Sequence, residues 1–371
     1  MMDLFSKLTP QAILDSVSDG VYVTDTSRKI VYWNDAAERI TGWPASKVLG
    51  THCYDDVLCH VDKDGHRLCG EEYCPLHRSI VTGQASAVPF VVFAQQRQGK
   101  RVPLQVSVAP VHGRDGEVIG GVETFRDLSG EFRDIKRAQT IQSLSLQQDL
   151  PEDPRVRFSA QYIPHDMIGG DYYAVAPLDS DRYGFFLADV TGHGVPAALY
   201  TMYLSSLWDS AYQRLVQPCE FALWMNEHLH GLIREEGPFA AGVCGVLDLG
   251  RGTLRLAGAG NPSPFLIRAN GEWRRLGAEG FPLGMLPEAS YEESAVEIGS
   301  GDCVLLYSDG AVEIRQPDGE LLGVDGLEQV LKELGYPGTG VDLPTIEREL
   351  LARSDCIRFD DDLTLLEVRI A

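Results

Sequence analysis

The sequence predicts a two-domain α/β chain: an antiparallel five-stranded sheet with short helices, a helical connector, and a larger domain of two packed sheets with helices outside. Three observations carry this. The chain has 371 residues, more than one hydrophobic core ordinarily serves. Residues 11–128 alternate short strand-like and helix-like runs, whereas 155–371 pass from strands to two helices and back to strands. Between them, 129–150 has no Pro, no Gly after Gly130, and apolar side chains at helical spacing.

In chain order, ILDSV reads as a short helix, GVYVTDTS and KIVYWND as strands joined by a turn, and AAERITGW as a helix. AVPFVVFAQQ, RVPLQVSVAPV and VIGGVETFRDL complete the first sheet; Val102, Leu104, Val106 and Val108 alternate as a half-buried antiparallel strand does. In the connector, Phe132, Ile135, Ile141 and Leu144 form a stripe, with Ala138 weaker between them. Such a stripe packs either on the protein's own domains or on its copy in a dimer, and Pro151 and Pro154 end it. The last segment opens with the alternating strand RVRFSAQYIP. Two helices follow, one facing inward with Ala197, Tyr200, Leu204, Leu207 and Ala211, the other with Phe221, Met225, Leu229 and Leu232. The strands AGVCGVLDLG, GTLRLAGAG, SPFLIRANG, GDCVLLYSDG and DDLTLLEVRI close the domain. The expected boundaries are 1–128, 129–150 and 151–371.

Composition narrows the function. The formal net charge is −22, which repels nucleic acid and anionic membranes. No apolar stretch approaches a membrane span and MMDLFSKLTPQ lacks a signal-peptide pattern, so a cytoplasmic location is expected. Of eight cysteines, Cys219, Cys244, Cys303 and Cys356 are scattered and read as small core residues of a reducing compartment. The other four are bunched.

Four places in the last segment deliver an acid to a strand end: IGGDYY (Asp171), FFLADVTGHG (Asp189), CVLLYSDG (Asp309) and FDDDLTLL (Asp360, Asp361, Asp362). Each alone reads as a turn or cap, Asp189 or Thr191 serving the helix that follows. Together they read differently, because carboxylates gathered among apolar residues must be protonated or held by cations. Oxygen-only donors favour Mg²⁺ or Mn²⁺, and paired ions of that kind serve phosphate-ester hydrolysis.

Five blocks in order, QQDLPEDPRVRFSAQYIPHDMIGGDYY, ADVTGHGVPAALY, AGAGNPSPFLIR, GFPLGMLPEASYEESAVEIGSGDCVLLYSDGAVEI and DDLTLLEVR, resemble the SpoIIE/RsbU-type branch of the PPM metal-dependent serine/threonine protein phosphatases. The resemblance implies an αββα sandwich with two Mn²⁺ or Mg²⁺ ions at one end of its sheets. It implies that Asp189 bridges them, that Asp171 and the Val190 carbonyl hold the second, and that Asp309 and Asp361 hold the first, supported by Asp362 or Asp360. The family's usual His is replaced by Asn261, and His193 reads as a turn residue.

DGVYVTDTSRKIVYWNDAAERITGW and VSVAPVHGRDGEVIGGVETFRDLSGEF resemble a PAS sensor domain, with Asp25, Asn34 and Gly42 in order. Such domains take a small-molecule or redox signal, or dimerise, and pass a shift into the helix that follows. Inside this one, Cys53, Cys59, Cys69 and Cys74 are spaced C-x5-C-x9-C-x4-C, amid His52, His60, His66 and His77. They read either as unbound thiols or an adventitious disulfide, or as a zinc or iron–sulfur site; haem on a histidine is a further reading, and a flavin adduct fits less well.

The expectation is a PAS-regulated Mn²⁺/Mg²⁺ phosphatase, forming a homodimer and acting on a phosphorylated STAS-type anti-sigma-factor antagonist. The rivals are a metal-poor pseudophosphatase that works by association, and a redox or metal sensor.

Overall fold

Two polar residues in otherwise apolar stretches set the first turns of the N-terminal unit. The carboxylate of Asp25 accepts from the amides of Ser27 and Lys29, closing the turn between β1 (Gly20–Asp25) and β2 (Ile30–Trp33). Fully buried Asn34 caps α2 (Asp35–Thr41) by accepting from the Ala37 amide, and its own amide donates to the carbonyls of Leu14 and Asp19. Gly42 ends that helix at φ 73°, in the left-handed region. The computed structural model describes residues 9–371 except 56, 64, 71–72, 87, 233–236, 278, 339 and 355–357. The earlier reading of Cys356 lies outside the described residues.

The chain divides into two compact units, 1–134 and 135–371. The first begins with α1 (Pro10–Asp15), and after α2 adds α3 (Ala45–Val48), α4 (Pro75–Thr82), β3 (Phe90–Gln95), β4 (Arg101–His112) and β5 (Val118–Asp127). Its sheet runs β2-β1-β5-β4-β3, all antiparallel. Val102, Leu104, Val106 and Val108 are buried, as their alternation predicts. Gly121 lies under Leu76 and Ile80 of α4, where a Cβ would come within 3.0 Å of both side chains.

Helix α5 (Ser129–Leu146) carries the chain across the 134/135 boundary. Its C-terminal half leaves part of the apolar stripe on the surface. Ile141 and Leu144 of the predicted stripe are exposed, and the buried residue is Gln142.

The second unit contains β6 (Glu152–Asp153), β7 (Val156–Ile163), β8 (Asp171–Pro177), β9 (Arg182–Val190), α6 (Val195–Ala211), α7 (Pro218–Leu232), β10 (Ala240–Asp248), β11 (Thr253–Ala259), β12 (Phe265–Ile267), β13 (Trp273–Arg275), β14 (Glu293–Glu297), β15 (Cys303–Tyr307), α8 (Gly323–Glu333), α9 (Leu343–Arg353) and β16 (Leu363–Ile370). One sheet is ordered β14-β11-β10-β9-β8, the other β13-β12-β15-β16-β7-β6. Strand β9 shows why its sequence is apolar on both sides. Phe186, Ala188 and Val190 face the α6/α7 layer, while Tyr183, Phe185 and Leu187 face the second sheet. On the far side, Phe265, Leu305, Tyr307 and Leu365 pack against α8 and α9. The layers are therefore α, β, β, α, as expected. Leu232, the last residue of α7, is exposed rather than inward. Cys244 and Cys303 are buried and Cys219 half-buried, all as free thiols.

Candidate active site

Strands β8 and β9 pair so that Asp171 lies directly opposite Asp189. Residues opposed in an antiparallel pair share a face with Cβ atoms about 5 Å apart, and like charges there repel. The charge of Asp189 acts on Asp171, and that of Asp309 acts on Asp189. Asp309 opens a short 3-10 turn at the end of β15, and Asp361 precedes β16. Because β15 and β16 are antiparallel neighbours, with Tyr307 opposite Leu365, these two acids reach the same edge of the second sheet.

Burial raises the pKa of Asp171 well above the carboxylate range, and the Asp189 charge raises it further. Asp189 is pushed up to about 8 by burial and then by Asp309, Asp361 and Asp362. Asp309 rises to about 6 by burial, then by Asp361 and Glu313. One oxygen of Asp171 accepts from Thr364 Oγ1 at 2.6 Å, across from the other sheet. Its Oδ1, and Oδ1 of Asp309, are buried without a hydrogen-bond partner. Unmatched carboxylate oxygens are costly.

Asp362 differs from its neighbours. Its carboxylate accepts from the amides of His165 (2.6 Å), Gly170 and Asp171 (3.3 Å), and so holds the Gly-Gly-Asp segment in place. Asp360 is exposed, whereas Asp362 is buried. A Cβ on Gly169 would lie 1.9 Å from Tyr162 Oη, and one on Gly170 2.9 Å from the Val190 carbonyl oxygen. The glycine pair is thus required by close approach.

The cap reading of Asp189 fails, because Gly194 precedes α6 at the cap position and no side chain caps it. Thr191 instead bonds Phe239, exchanging contacts with its amide and carbonyl. His193 is exposed in the turn. Asn261, buried, donates its side-chain amide to the Tyr307 carbonyl at 3.0 Å, bracing the strand end that carries Asp309. An imidazole N–H can make the same donation, which gives the departure from the family pattern a physical account.

Sequence reasoning missed Thr364 and Gln142. The first is a polar residue between apolar Leu363 and Leu365 at the start of its strand, a signal that was there to read. Gln142 gave none: its amide donates to the Gly169 carbonyl at 2.7 Å, while its Oε1 accepts from the Gly169 amide at 3.3 Å. A side chain of α5 therefore grips the loop leading to Asp171.

Divalent cations suit this donor set: all oxygen, partly orphaned, and held close against mutual repulsion. Among the described residues no three His, Cys, Asp or Glu side chains already close round one point. The acids are linked pairwise instead.

In the first unit Cys53, Cys69 and Cys74 are free thiols. Cys53, Cys69 and Cys74 line a common cavity, and Cys59 does not; His60 of the same cluster does, as does Glu123, which the sequence reading did not name.

The profile of Stage II sporulation protein E (SpoIIE) matches residues 179–371, more than half the chain, and the PAS fold profile matches 9–128. Asp171 falls just ahead of the first span. The phosphoserine phosphatase RsbP of Bacillus subtilis (strain 168) is 28% identical over 181 residues, 48% of this chain and 45% of that protein. The phosphoserine phosphatase RsbU of the same organism is 24% identical over 306 residues, 82% and 88% of the two chains. Protein IcfG of Synechocystis sp. is 25% identical over 262 residues, 63% of this chain and 41% of that one. The chain thus spans less than half of RsbP and of IcfG. The SiaA-PP2C domain of Pseudomonas aeruginosa superposes with TM-score 0.56 at 21% identity, covering 65% of this chain and 97% of that chain. The RsbU and RsbW domains of Rv1364c from Mycobacterium tuberculosis give 0.51 at 23%, covering 61% and 63%. These two likenesses concern the fold. Among the described residues no helix is long and apolar enough to cross a membrane.

Proposed function

The chain belongs to the SpoIIE family, with a PAS fold ahead of the family domain, and on that premise we propose that it is a signal-regulated, metal-dependent protein phosphatase of the cytoplasm. The carrying observation is that Asp171, Asp189, Asp309 and Asp361, far apart in sequence, share one neighbourhood where burial and mutual charge raise three of them. Two Mn²⁺ or Mg²⁺ ions would be held by these four carboxylates and the Val190 carbonyl. When bound, such ions supply an activated water and offset charge on the phosphoryl group. Thr364 orients Asp171, Asp362 fixes the Gly-Gly-Asp segment, and Asn261 steadies the strand that delivers Asp309.

The substrate proposed is a phosphoserine or phosphothreonine on a STAS-type anti-sigma-factor antagonist, a reading supported by two relatives that are named phosphoserine phosphatases. Regulation would enter through α5, whose Gln142 grips Gly169. Its exposed Ile141 and Leu144 suit pairing with a second copy.

One observation favours a second reading, the metal-poor association module: the acids are not already closed round a point. Hydrolysis of p-nitrophenyl phosphate with Mn²⁺, in the native chain beside Asp309→Asn, separates the two. The phosphatase reading expects a loss of roughly 100-fold or more, above what outer-shell changes cost. Equal rates favour the module.

A further inference from the structure

The first unit holds a second polar site, unrelated to phosphate chemistry. Residues 49–74 form a long connection with no helix or strand among its described residues, and long connections of that kind are usually functional. Where this connection meets the sheet, a cavity of about 10 Å³ is lined by Cys53, His60, Cys69 and Cys74, with Tyr22 and Glu123 behind. That volume admits one atom-sized occupant. A haem, a flavin or an iron–sulfur cluster does not fit.

Two buried atoms of the residues lining the cavity make no hydrogen bond, although they approach each other as an ion pair. His60 Nε2 and Glu123 Oε1 stand 3.6 Å apart, too far to hydrogen-bond, and neither has another partner. Their residues are only 8% and 3% exposed. The second oxygen of Glu123 accepts from Tyr22 Oη at 3.0 Å. The backbone amide of His60 donates to Cys69 Sγ at 3.2 Å. Three sulfurs and one imidazole nitrogen make a complete four-donor set, soft enough to select a zinc-class ion over Mg²⁺ or Ca²⁺.

We propose that this cavity is a binding site for a single zinc-class divalent cation, with Cys53, Cys69 and Cys74 as thiolate ligands and His60 Nε2 as the fourth. Cys59 lies outside the set. Among the described residues the donors do not already close round one point. Protonated thiols have no mutual attraction, and a cation supplies it. Three thiolates on a divalent ion leave one negative charge, and buried Arg28, whose charge acts on Cys53, offsets it. Binding releases the thiol protons and ties the 49–74 connection to the sheet. None of this depends on the phosphatase reading.

The test uses the full chain, stripped by chelator under reducing conditions and titrated with Zn²⁺ and, separately, Co²⁺. The expected result is one Zn²⁺ per chain in the first unit, a thiolate-to-cobalt charge-transfer absorption, and a weakening of at least about 100-fold in Cys69→Ser and in Cys74→Ser, with Cys59→Ser unchanged. Full-strength zinc binding in Cys69→Ser overturns the proposal, as does equal loss in Cys59→Ser. Should the ligand variants fail to fold, the native chain decides alone, and no thiolate–cobalt absorption overturns it.

Discussion

Strand β15 is flanked by two aspartates, Asp302 buried and Asp309 half-buried, and the two are opposite in kind. Asp302, just before it, receives the Gly299 amide at 2.9 Å, the Ala269 amide at 3.0 Å and the Arg268 guanidinium at 2.8 Å. Burial raises its carboxyl, but these donors outweigh burial and leave its pKa lowered. Asp309, just after the strand, has an orphan oxygen and acidic neighbours, and its pKa is raised. Only five residues of strand separate them. A carboxylate that serves the fold is surrounded by donors, whereas one available to bind a cation is left short of them.

The sharpest way to break this contrast is activity. Asp309→Asn should cost roughly 100-fold or more in Mn²⁺-dependent turnover. Asp302→Asn should leave the rate of the folded protein within a few-fold; a collapse of both rates would dissolve the distinction.

Next in size is stabilisation by the metal. Saturating Mn²⁺, at about 100 times its dissociation constant, should add about 2.7 kcal/mol to the unfolding free energy of the native second unit. The gain should shrink strongly in Asp309→Asn and persist in Asp302→Asn, measured as the shift of the denaturant midpoint.

Without metal the order reverses. Asp302→Asn should destabilise the fold by about 2 kcal/mol, because it weakens three charge-assisted bonds in a nearly buried site. Asp309→Asn should be neutral or stabilising, since it removes like-charge repulsion.

A finer test is the pH slope of stability in chelator. Asp302, with a lowered folded pKa, contributes stability above its unfolded value, and this is lost as pH falls through the folded one. Asp309 works the other way. Between the ordinary carboxylate range and about 6 the folded state keeps a proton that the unfolded chain has released, so stability falls as pH rises through that window. Each Asn variant should remove its own slope and leave the other. The smallest effect expected is that of Asn261→His, which keeps an N–H for the Tyr307 carbonyl and should change stability by less than about 1 kcal/mol.

Much of the architecture was legible along the chain. The alternation in 102–108, the two helix faces after Asp189, and the strand runs flanking them all match the observed elements, because burial of a periodic face is a local property of the sequence. The four aspartates were legible as strand-end acids whose gathering calls for cations, and the family resemblance added which of them would hold which ion. In the connector the apolar period left two packings open, on the protein's own domains or on a second copy; Ile141 and Leu144 are exposed, while Gln142 is buried and bonds the backbone of Gly169. Among the cysteines, nearness in sequence grouped Cys59 with the rest, while folding puts Glu123, with His60, beside the other three.

By itself, the sequence determined which segments become strands and helices, which faces are apolar, and that acids stand where strands end. Only the tertiary structure decided which acids receive donors and which are left facing one another, and which polar atoms close a cavity. The physical reason is range. Periodicity and capping act between residues a few positions apart, but a carboxylate's pKa and the fit of a cation depend on side chains that strand register and sheet packing bring from far along the chain.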